Sequence, residues 1–120
     1  MEFTQFTVLD EEQNRSVRFE GRLLVAERPV LSVAMQSCGR EWHIWITRAG
    51  KIVTTQKFLS EFPGQDGLRR VRIFEALEDI PRLEALCRDS TQDEADSAIP
   101  DGIRSRAKIA LGDDPVIYVD

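Results

Sequence analysis

Apolar and polar residues alternate along the first 74 positions of the chain, and this pattern predicts a sheet. A period of two is typical of strands that bury one face. It recurs in four segments, residues 17–25, 42–47, 51–58 and 70–74, while residues 3–9 predict a strand with apolar residues on both faces. Between the third and fourth segments, Arg48-Ala49-Gly50 fits a three-residue hairpin turn that ends on a left-handed glycine. The register implied by this turn pairs Ile46 with Ile52, Ile44 with Thr54, and Trp45 with Val53.

Beyond residue 75 the apolar positions take a helical spacing. The first helix is predicted by four residues, Ile80, Leu83, Leu86 and Cys87. Pro81 is compatible with the first turn of this helix. Residues 89–97 are polar and acidic, and they predict a flexible connector. Pro100-Asp101 opens a second helix, with Gly112 as its left-handed cap. Two less regular strands are expected at residues 30–35 and 116–119.

Together these elements predict a single α+β domain over residues 1–120. We expect a twisted antiparallel sheet of five to seven strands with two helices packed on one face. The 120 residues are 42% hydrophobic and 31% charged, which is typical of a globular protein. No apolar run approaches the roughly 20 residues that a membrane helix needs. The acidic first residues lack the pattern of a signal peptide, so we expect a cytoplasmic protein.

The cysteines and the single histidine give little indication of catalysis. In a reducing compartment, Cys38 and Cys87 are expected to be free and mostly buried thiols. Neither belongs to a Cys-x-x-Cys pair, and His43 alone cannot complete a common zinc site. Cys38 and His43 could form a nucleophile–base pair, but the sequence shows no orienting third group. We therefore expect no catalytic residues, no metal and no cofactor.

Charge is segregated along the chain. The formal net charge is −5, yet residues 15–74 carry 11 basic and 5 acidic side chains. Residues 75–101 carry 2 basic and 9 acidic ones. The acidic residues 89–101 lack the spacing of a calcium loop. We expect them to be solvated and to screen the basic sheet within the same molecule.

Strand alternation places the basic residues opposite the predicted core. The residues expected to face the helices are Phe19, Leu23, Trp42, Ile44, Ile46, Ile52, Val71 and Ile73. The opposite face then carries a candidate partner-binding set, which we call the basic set: Arg18, Arg22, His43, Trp45, Lys57, Arg70 and Arg72. Trp42 is then core, and Trp45 is comparatively exposed. Cations around an indole suit an acidic protein partner. They also suit nucleic acid, through phosphate contacts and base stacking. The third interpretation is a solvated sheet face that binds no partner.

Three short motifs resemble the EXLDI family of small bacterial proteins, named for a C-terminal Glu-x-Leu-Asp-Ile motif. Residues 17–24 are similar to that family's Phe-x-Gly-Arg strand, and residues 42–51 to its strand ending in a Thr-x-x-Gly-Lys turn. Residues 99–112 and 115–120 are similar to its proline-started helix, Ala-Leu-Gly cap and final strand. The defining motif is degenerate here, since Ile117 and Val119 stand where its glutamate and leucine belong. The resemblance implies this fold and a bacterial, cytosolic setting, and it implies no activity.

These observations favour a non-catalytic accessory or regulatory protein of a bacterium, and the expected partner is another protein. Nucleic-acid or polyanion binding through the basic set is the alternative. A small enzyme that uses Cys38 and His43 is the third hypothesis. No membrane partner is expected. A homodimer stays open, because the last strand could pair with a second copy if it lies at a sheet edge.

Overall fold

The fold is a five-stranded meander followed by two helices. The computed structural model describes residues 3–28, 38–60, 64 and 66–112, without the side chain of Cys38. The strands are β1 (Thr4–Asp10), β2 (Arg15–Glu27), β3 (Cys38–Thr47), β4 (Ile52–Ser60) and β5 (Arg70–Phe74). Each pairs antiparallel with the next, so the sheet order is the chain order. The helices are α1 (Gln92–Ser97) and α2 (Asp101–Leu111). The predicted α+β fold is therefore confirmed.

Some predicted elements fall where the structure gives no description. The strands expected at residues 30–35 and 116–119 lie outside the described residues, as does most of the loop at residues 61–67. Within the described ranges, no helix is long and apolar enough to cross a membrane.

The β3–β4 hairpin has the predicted turn and register. Gly50 has a φ of 88°, the left-handed conformation that the turn requires. Its N–H donates to the Thr47 carbonyl at 2.9 Å, and the Thr47 N–H donates to the Lys51 carbonyl at 2.8 Å. The three predicted pairs are all present: Ile46 with Ile52, Ile44 with Thr54, and Trp45 with Val53. This hairpin fixes which side chains of the two central strands share a face.

The outer face of the sheet, which carries Ile44 and Ile52, packs against the helices. Its core consists of Val25, Ile44, Ile52, Leu77, Ile80, Ile99, Ile103 and Ala107. A buried polar contact joins the sheet to the segment between the helices, because the Gln56 side-chain amide donates to the Ala98 carbonyl at 2.9 Å. Arg40 donates to the Gln56 amide oxygen at 3.2 Å and approaches the Ala95 carbonyl at 3.4 Å. These contacts hold α1 against the outer face.

The inner face, which carries Trp45 and Val53, packs against itself. The sheet curls until the turn after β1 meets the residue before β5. The N–H groups of Glu11 and Glu12 donate to the Arg69 carbonyl at 2.9 and 3.3 Å. The Arg69 N–H donates back to the Glu11 carboxylate at 3.0 Å. The curl gathers a second core of Trp45, Val53 and Val71, with Phe6, Val8, Val17 and Phe19 packed against it.

A bulge in β2 changes which residues share a face. Leu23 pairs with Trp45 and Val25 pairs with Ile44, so the register shifts by one residue between them. A bulge places an extra residue in one strand and so exchanges the faces beyond it. Val25 therefore lies on the outer face although Leu23 lies on the inner one. The prediction that Phe19 and Leu23 face the helices is wrong for this reason.

The last sheet pairing also differs from the prediction. Val53 pairs with Ile73 and Thr55 pairs with Val71, so both β5 residues lie on the inner face with Trp45. The expectation that they join Ile44 against the helices is wrong. A slip of one residue between strands transfers a whole strand to the other face.

The predicted first helix is instead an irregular segment. Two separate 3₁₀ turns cover Leu77–Asp79 and Leu83–Ala85. Between them the backbone bonds to a distant residue, because the Ile99 N–H donates to the Pro81 carbonyl and the Leu83 N–H donates to the Ile99 carbonyl, both at 3.0 Å. These bonds form an isolated parallel bridge at Arg82 and hold the chain extended there. A continuous helix is incompatible with that pairing.

The expected connector contains a helix. Thr91 caps α1, because its hydroxyl accepts from the Glu94 N–H at 3.1 Å and the Glu94 carboxylate accepts from the Thr91 N–H at 3.3 Å. This reciprocal arrangement is a capping box. The prediction of a flexible connector at residues 89–97 is therefore wrong for the part that forms α1.

α2 begins and ends where predicted, and it is held by a buried arginine. Gly112 has a φ of 78° and closes the helix as a left-handed cap. The Arg104 guanidinium donates to the Leu77 carbonyl and, at 2.5 Å, to the Ile80 carbonyl. Arg104 is 9% exposed, so these bonds satisfy carbonyl groups that have little access to water. One side chain thus ties α2 to the irregular segment.

Replacing Arg104 by methionine should destabilise the protein more than the same change at Arg106. Arg104→Met leaves the buried Ile80 carbonyl without its donor, at about 1–3 kcal/mol for an unsatisfied group, and removes one of the two donors to the Leu77 carbonyl. Arg106→Met removes an exposed ion pair to Glu27, and such pairs contribute about 0–1 kcal/mol. Urea unfolding of both variants measures the difference. Equal losses would show that Arg104 does not hold the helix.

Candidate binding groove on the inner face

A groove of about 410 Å³ runs along the edge of β1 that pairs with no other described strand. Its lining residues are Phe6, Thr7, Val8, Leu9, His43, Trp45, Thr55 and Arg69. Successive side chains of a strand point to opposite faces, so four consecutive residues line a groove only along the edge of the strand. β1 is the first strand of the sheet and pairs with β2 on its other side. The groove therefore lies between this edge of β1 and Arg69, the residue before β5, on the inner face that carries His43, Trp45 and Thr55.

Aromatic rings form the floor of this groove. The Trp45 ring lies 5.7 Å from Phe6 and 5.5 Å from Phe19, measured between ring centroids. His43 stacks on Trp45 at 5.5 Å with an angle of 16° between the planes. Phe6 stacks in turn on Phe19 at 5.7 Å. Rings at these separations attract one another and hold a fixed arrangement.

Trp45 is buried, which contradicts the prediction of an exposed ring. It is 6% exposed, whereas Trp42 on the outer face is only half-buried. The prediction assumed that the face opposite the helices is open to water. The curl instead folds Phe6 and Phe19 over the indole. The Trp45 Nε1 atom is buried as well, and it has no hydrogen-bond partner among the residues that the structure describes.

Polar residues occupy one end of the groove. Arg69 donates to the buried Glu41 carboxylate at 3.2 Å, and Arg28 lies 4.0 Å from the other oxygen of Glu41. His43 Nδ1 is 3.3 Å from the Thr55 hydroxyl and 3.8 Å from Glu41. Burial lowers the pKa of His43, and the nearby Glu41 charge opposes this shift only in part, while Arg69 adds to it. His43 is therefore neutral near pH 7.

The basic set does not share one surface. His43, Trp45 and Lys57 lie on the inner face, whereas the other four lie on the outer face: Arg18, Arg22, Arg70 and Arg72. Arg70 pairs with Gln56 and Arg72 with Thr54 across the β4–β5 register. The expectation of a single face was wrong because this register could not be read from the loop between the two strands.

Acidic residues of the same molecule neutralise several of these cations. Glu12 binds both Arg70 and Arg72. The hydrogen bond from Arg70, followed by the one from Arg72, lowers the pKa of the Glu12 carboxyl. On α1, Asp96 lies 3.2 Å from Arg70 and Asp93 lies 3.4 Å from Arg72. The acidic segment thus screens the sheet internally, as the segregation of charge predicted. Lys57 is likewise paired, with Glu11 at 3.4 Å.

Cys87 does not line the groove. Cys87 is a free thiol, and it is exposed rather than buried as expected. A hydrogen bond from the Ser90 hydroxyl lowers the pKa of this thiol. The Cys38 side chain lies outside the described residues, so its pairing with His43 stays a hypothesis. Within the described ranges, no three or more His, Cys, Asp or Glu side chains are grouped so that they could hold a metal ion.

A second depression, of about 430 Å³, lies where α2 begins. Charged and polar side chains line it: Glu78, Arg82, Asp101, Arg104, Ser105 and Lys108. Arg82 and Asp101 already form an ion pair at 2.6 Å across it. Ligand sites combine apolar side chains with a few polar groups, whereas every side chain that lines this depression is charged or polar. The inner-face groove is therefore the better candidate.

Comparison of the chain with protein-family models, with curated proteins and with solved structures finds no match. The resemblance to the EXLDI family accordingly stays a prediction. Function must be argued from the groove itself.

Replacing Trp45 by alanine should destabilise the protein by about 3–5 kcal/mol, as expected for loss of a large buried aromatic side chain. Trp42→Ala should cost less, because Trp42 retains contact with water. Chemical denaturation of the two variants gives the comparison. A larger loss for Trp42→Ala would contradict the burial of Trp45 between Phe6 and Phe19.

The free energy of unfolding should fall as the pH is lowered from about 7 to about 5.5. The unfolded chain binds a proton at His43 with an ordinary pKa of about 6.5, whereas the folded chain, whose His43 pKa is lowered by burial, binds it less readily. The stabilisation is therefore complete above pH 6.5 and is lost on acidification. The pKa values of Glu11 and Glu12 are lowered from 4.5, so these residues titrate outside this window.

The chain has a single histidine, so His43→Gln provides a direct control. Urea unfolding across the same pH range should give a nearly constant free energy for this variant. A slope as steep as that of the unmodified protein would rule out His43 as the source.

Proposed function

We propose that this protein is a non-catalytic binding protein that holds a small, largely apolar molecule in the inner-face groove. The supporting observation is an aromatic floor on the sheet face that the helices leave uncovered. The helices pack against the outer core around Ile44, whereas the inner core consists of strand residues alone. Trp45 and Phe6 thus form an apolar floor beside an open gap.

The dimensions of the groove favour a small molecule over a polypeptide. A volume of about 410 Å³ falls in the usual range of ligand pockets, about 300–1,000 Å³. Backbone bonds from Glu11 and Glu12 to Arg69 close one end of the gap. An extended chain that added to β1 could not continue past this end. A compact molecule meets no such obstacle.

The geometry gives less support to polyanion binding. Nucleic-acid affinity depends on cations that are free to neutralise phosphates. Arg70 and Arg72 each have two acidic partners in their own molecule, and Lys57 has one. A nucleic acid would have to displace these carboxylates. The accessory role in a bacterium and the protein partner stay predictions of the sequence.

Binding can be tested with a single spectroscopic reporter. The chain has two tryptophans, so Trp42→Phe leaves Trp45 as the one indole N–H signal in a nitrogen-15 spectrum. We expect one-ring and two-ring aromatic fragments to shift this signal at submillimolar concentration, because Trp45 lines the groove. The panel should contain neutral, anionic and cationic fragments. Failure of every charge class to move the signal would contradict the proposal.

A pair of variants on β1 separates groove binding from contact elsewhere. Val8→Phe adds a ring on the inner face, inside the groove, and should weaken fragment binding at least about tenfold. Gln5→Phe adds the same ring on the outer face of the same strand and should leave binding unchanged. Equal effects of the two changes would show that the fragments bind outside the groove.

A further inference from the structure

The polar end of the groove offers hydrogen-bond donors without matching acceptors. Arg69 uses its Nη2 atom for Glu41, and its Nε and Nη1 hydrogens have no acceptor among the described residues. Its side chain is 31% exposed and lines the groove. The carboxylate of Glu41, in contrast, already has Arg69 and Arg28 beside it.

The balance of charge at this end is positive. Glu41 is flanked by the two arginines, so the cluster carries one cation in excess. Nearby, Lys57 on β4 and Glu11 on the turn after β1 neutralise each other. His43 is neutral near pH 7 and adds no charge. A guanidinium can bind one carboxylate on each of two edges, which leaves Arg69 able to take a second anion.

The geometry points to an aromatic carboxylate as the class of ligand, an inference that rests on the proposed function of the groove. The ring would lie on the floor formed by Trp45 and Phe6. The carboxylate would accept hydrogen bonds from Arg69 at the closed end. The apolar floor and the end with free hydrogen-bond donors thus favour a planar apolar ligand that carries one anionic group.

Three matched probes test this assignment on the Trp42→Phe protein: 2-naphthoate, neutral 2-naphthamide and cationic 2-naphthylmethylammonium. They share one ring system and differ in the charge of the substituent. Titration of the Trp45 indole signal should show 2-naphthoate binding about tenfold more tightly than 2-naphthamide, as expected for a charge-assisted bond. The cation should bind most weakly. The preference should diminish at high salt, since Arg69 is partly exposed.

Replacing Arg69 and Glu41 together by glutamine should abolish the preference for 2-naphthoate over 2-naphthamide. Arg69→Gln/Glu41→Gln removes one cation and one anion, so the net charge of this end stays the same and no unpaired carboxylate is left buried. The affinities for 2-naphthoate and 2-naphthamide should then become nearly equal. Arg18→Gln, an exposed arginine on the outer face, should keep the tenfold ratio. Arg69→Lys keeps the charge without the planar fork and should give an intermediate ratio, which provides a second test if the double variant fails to fold.

The outcomes separate the two proposals. If 2-naphthamide binds as tightly as 2-naphthoate, or if the ratio persists without Arg69, the groove binds ligands but the carboxylate assignment is wrong. If none of the three probes shifts the Trp45 signal, the proposed function itself fails. Loss of the ratio in Arg18→Gln would assign the selectivity to the outer face and overturn the inference.

Discussion

The backbone bonds between the first turn and Arg69 are the contacts on which the rest of the structure depends. They join the two ends of a meander whose strands otherwise contact only their neighbours in sequence. Without this closure, Phe6 would lie at an open sheet edge, and Trp45 would face water. With it, five strands enclose an aromatic cluster that needs no covering helix. The same contacts close one end of the groove and place the Arg69 side chain there.

The two faces of the sheet consequently have different roles. The outer face obtains its stability from the helices, through a continuous apolar core and buried polar contacts at Gln56 and Arg104. The inner face is stabilised by its own curvature, and the curvature leaves a gap. The groove is therefore separated in space from the core that holds the helices, although its floor of Trp45 and Phe6 belongs to the inner core. Residues such as Val8 can vary the groove without disturbing the packing of α2.

Features encoded by adjacent residues could be predicted from the sequence, and features that depend on distant pairing could not. The hairpin at Gly50 and the cap at Gly112 follow from local turn chemistry, and both are confirmed. The bulge at Leu24 cannot be detected from the alternation of apolar and polar residues, because Leu23 and Val25 on either side of it are both apolar. The extended segment at Pro81 depends on a bond to Ile99, eighteen positions away. The groove arises only when the turn after β1 meets Arg69, fifty-eight positions from Glu11.

The order of the strands has a consequence for synthesis of the protein. Each strand of the meander can pair with the one before it as soon as it leaves the ribosome, and such local pairing is kinetically favoured. The aromatic cluster is complete once β5 has emerged. The outer core, however, lacks Ile99, Ile103 and Ala107 until the chain has grown by some thirty further residues. Until then the nascent sheet exposes an apolar surface around Ile44, which is the state most vulnerable to aggregation.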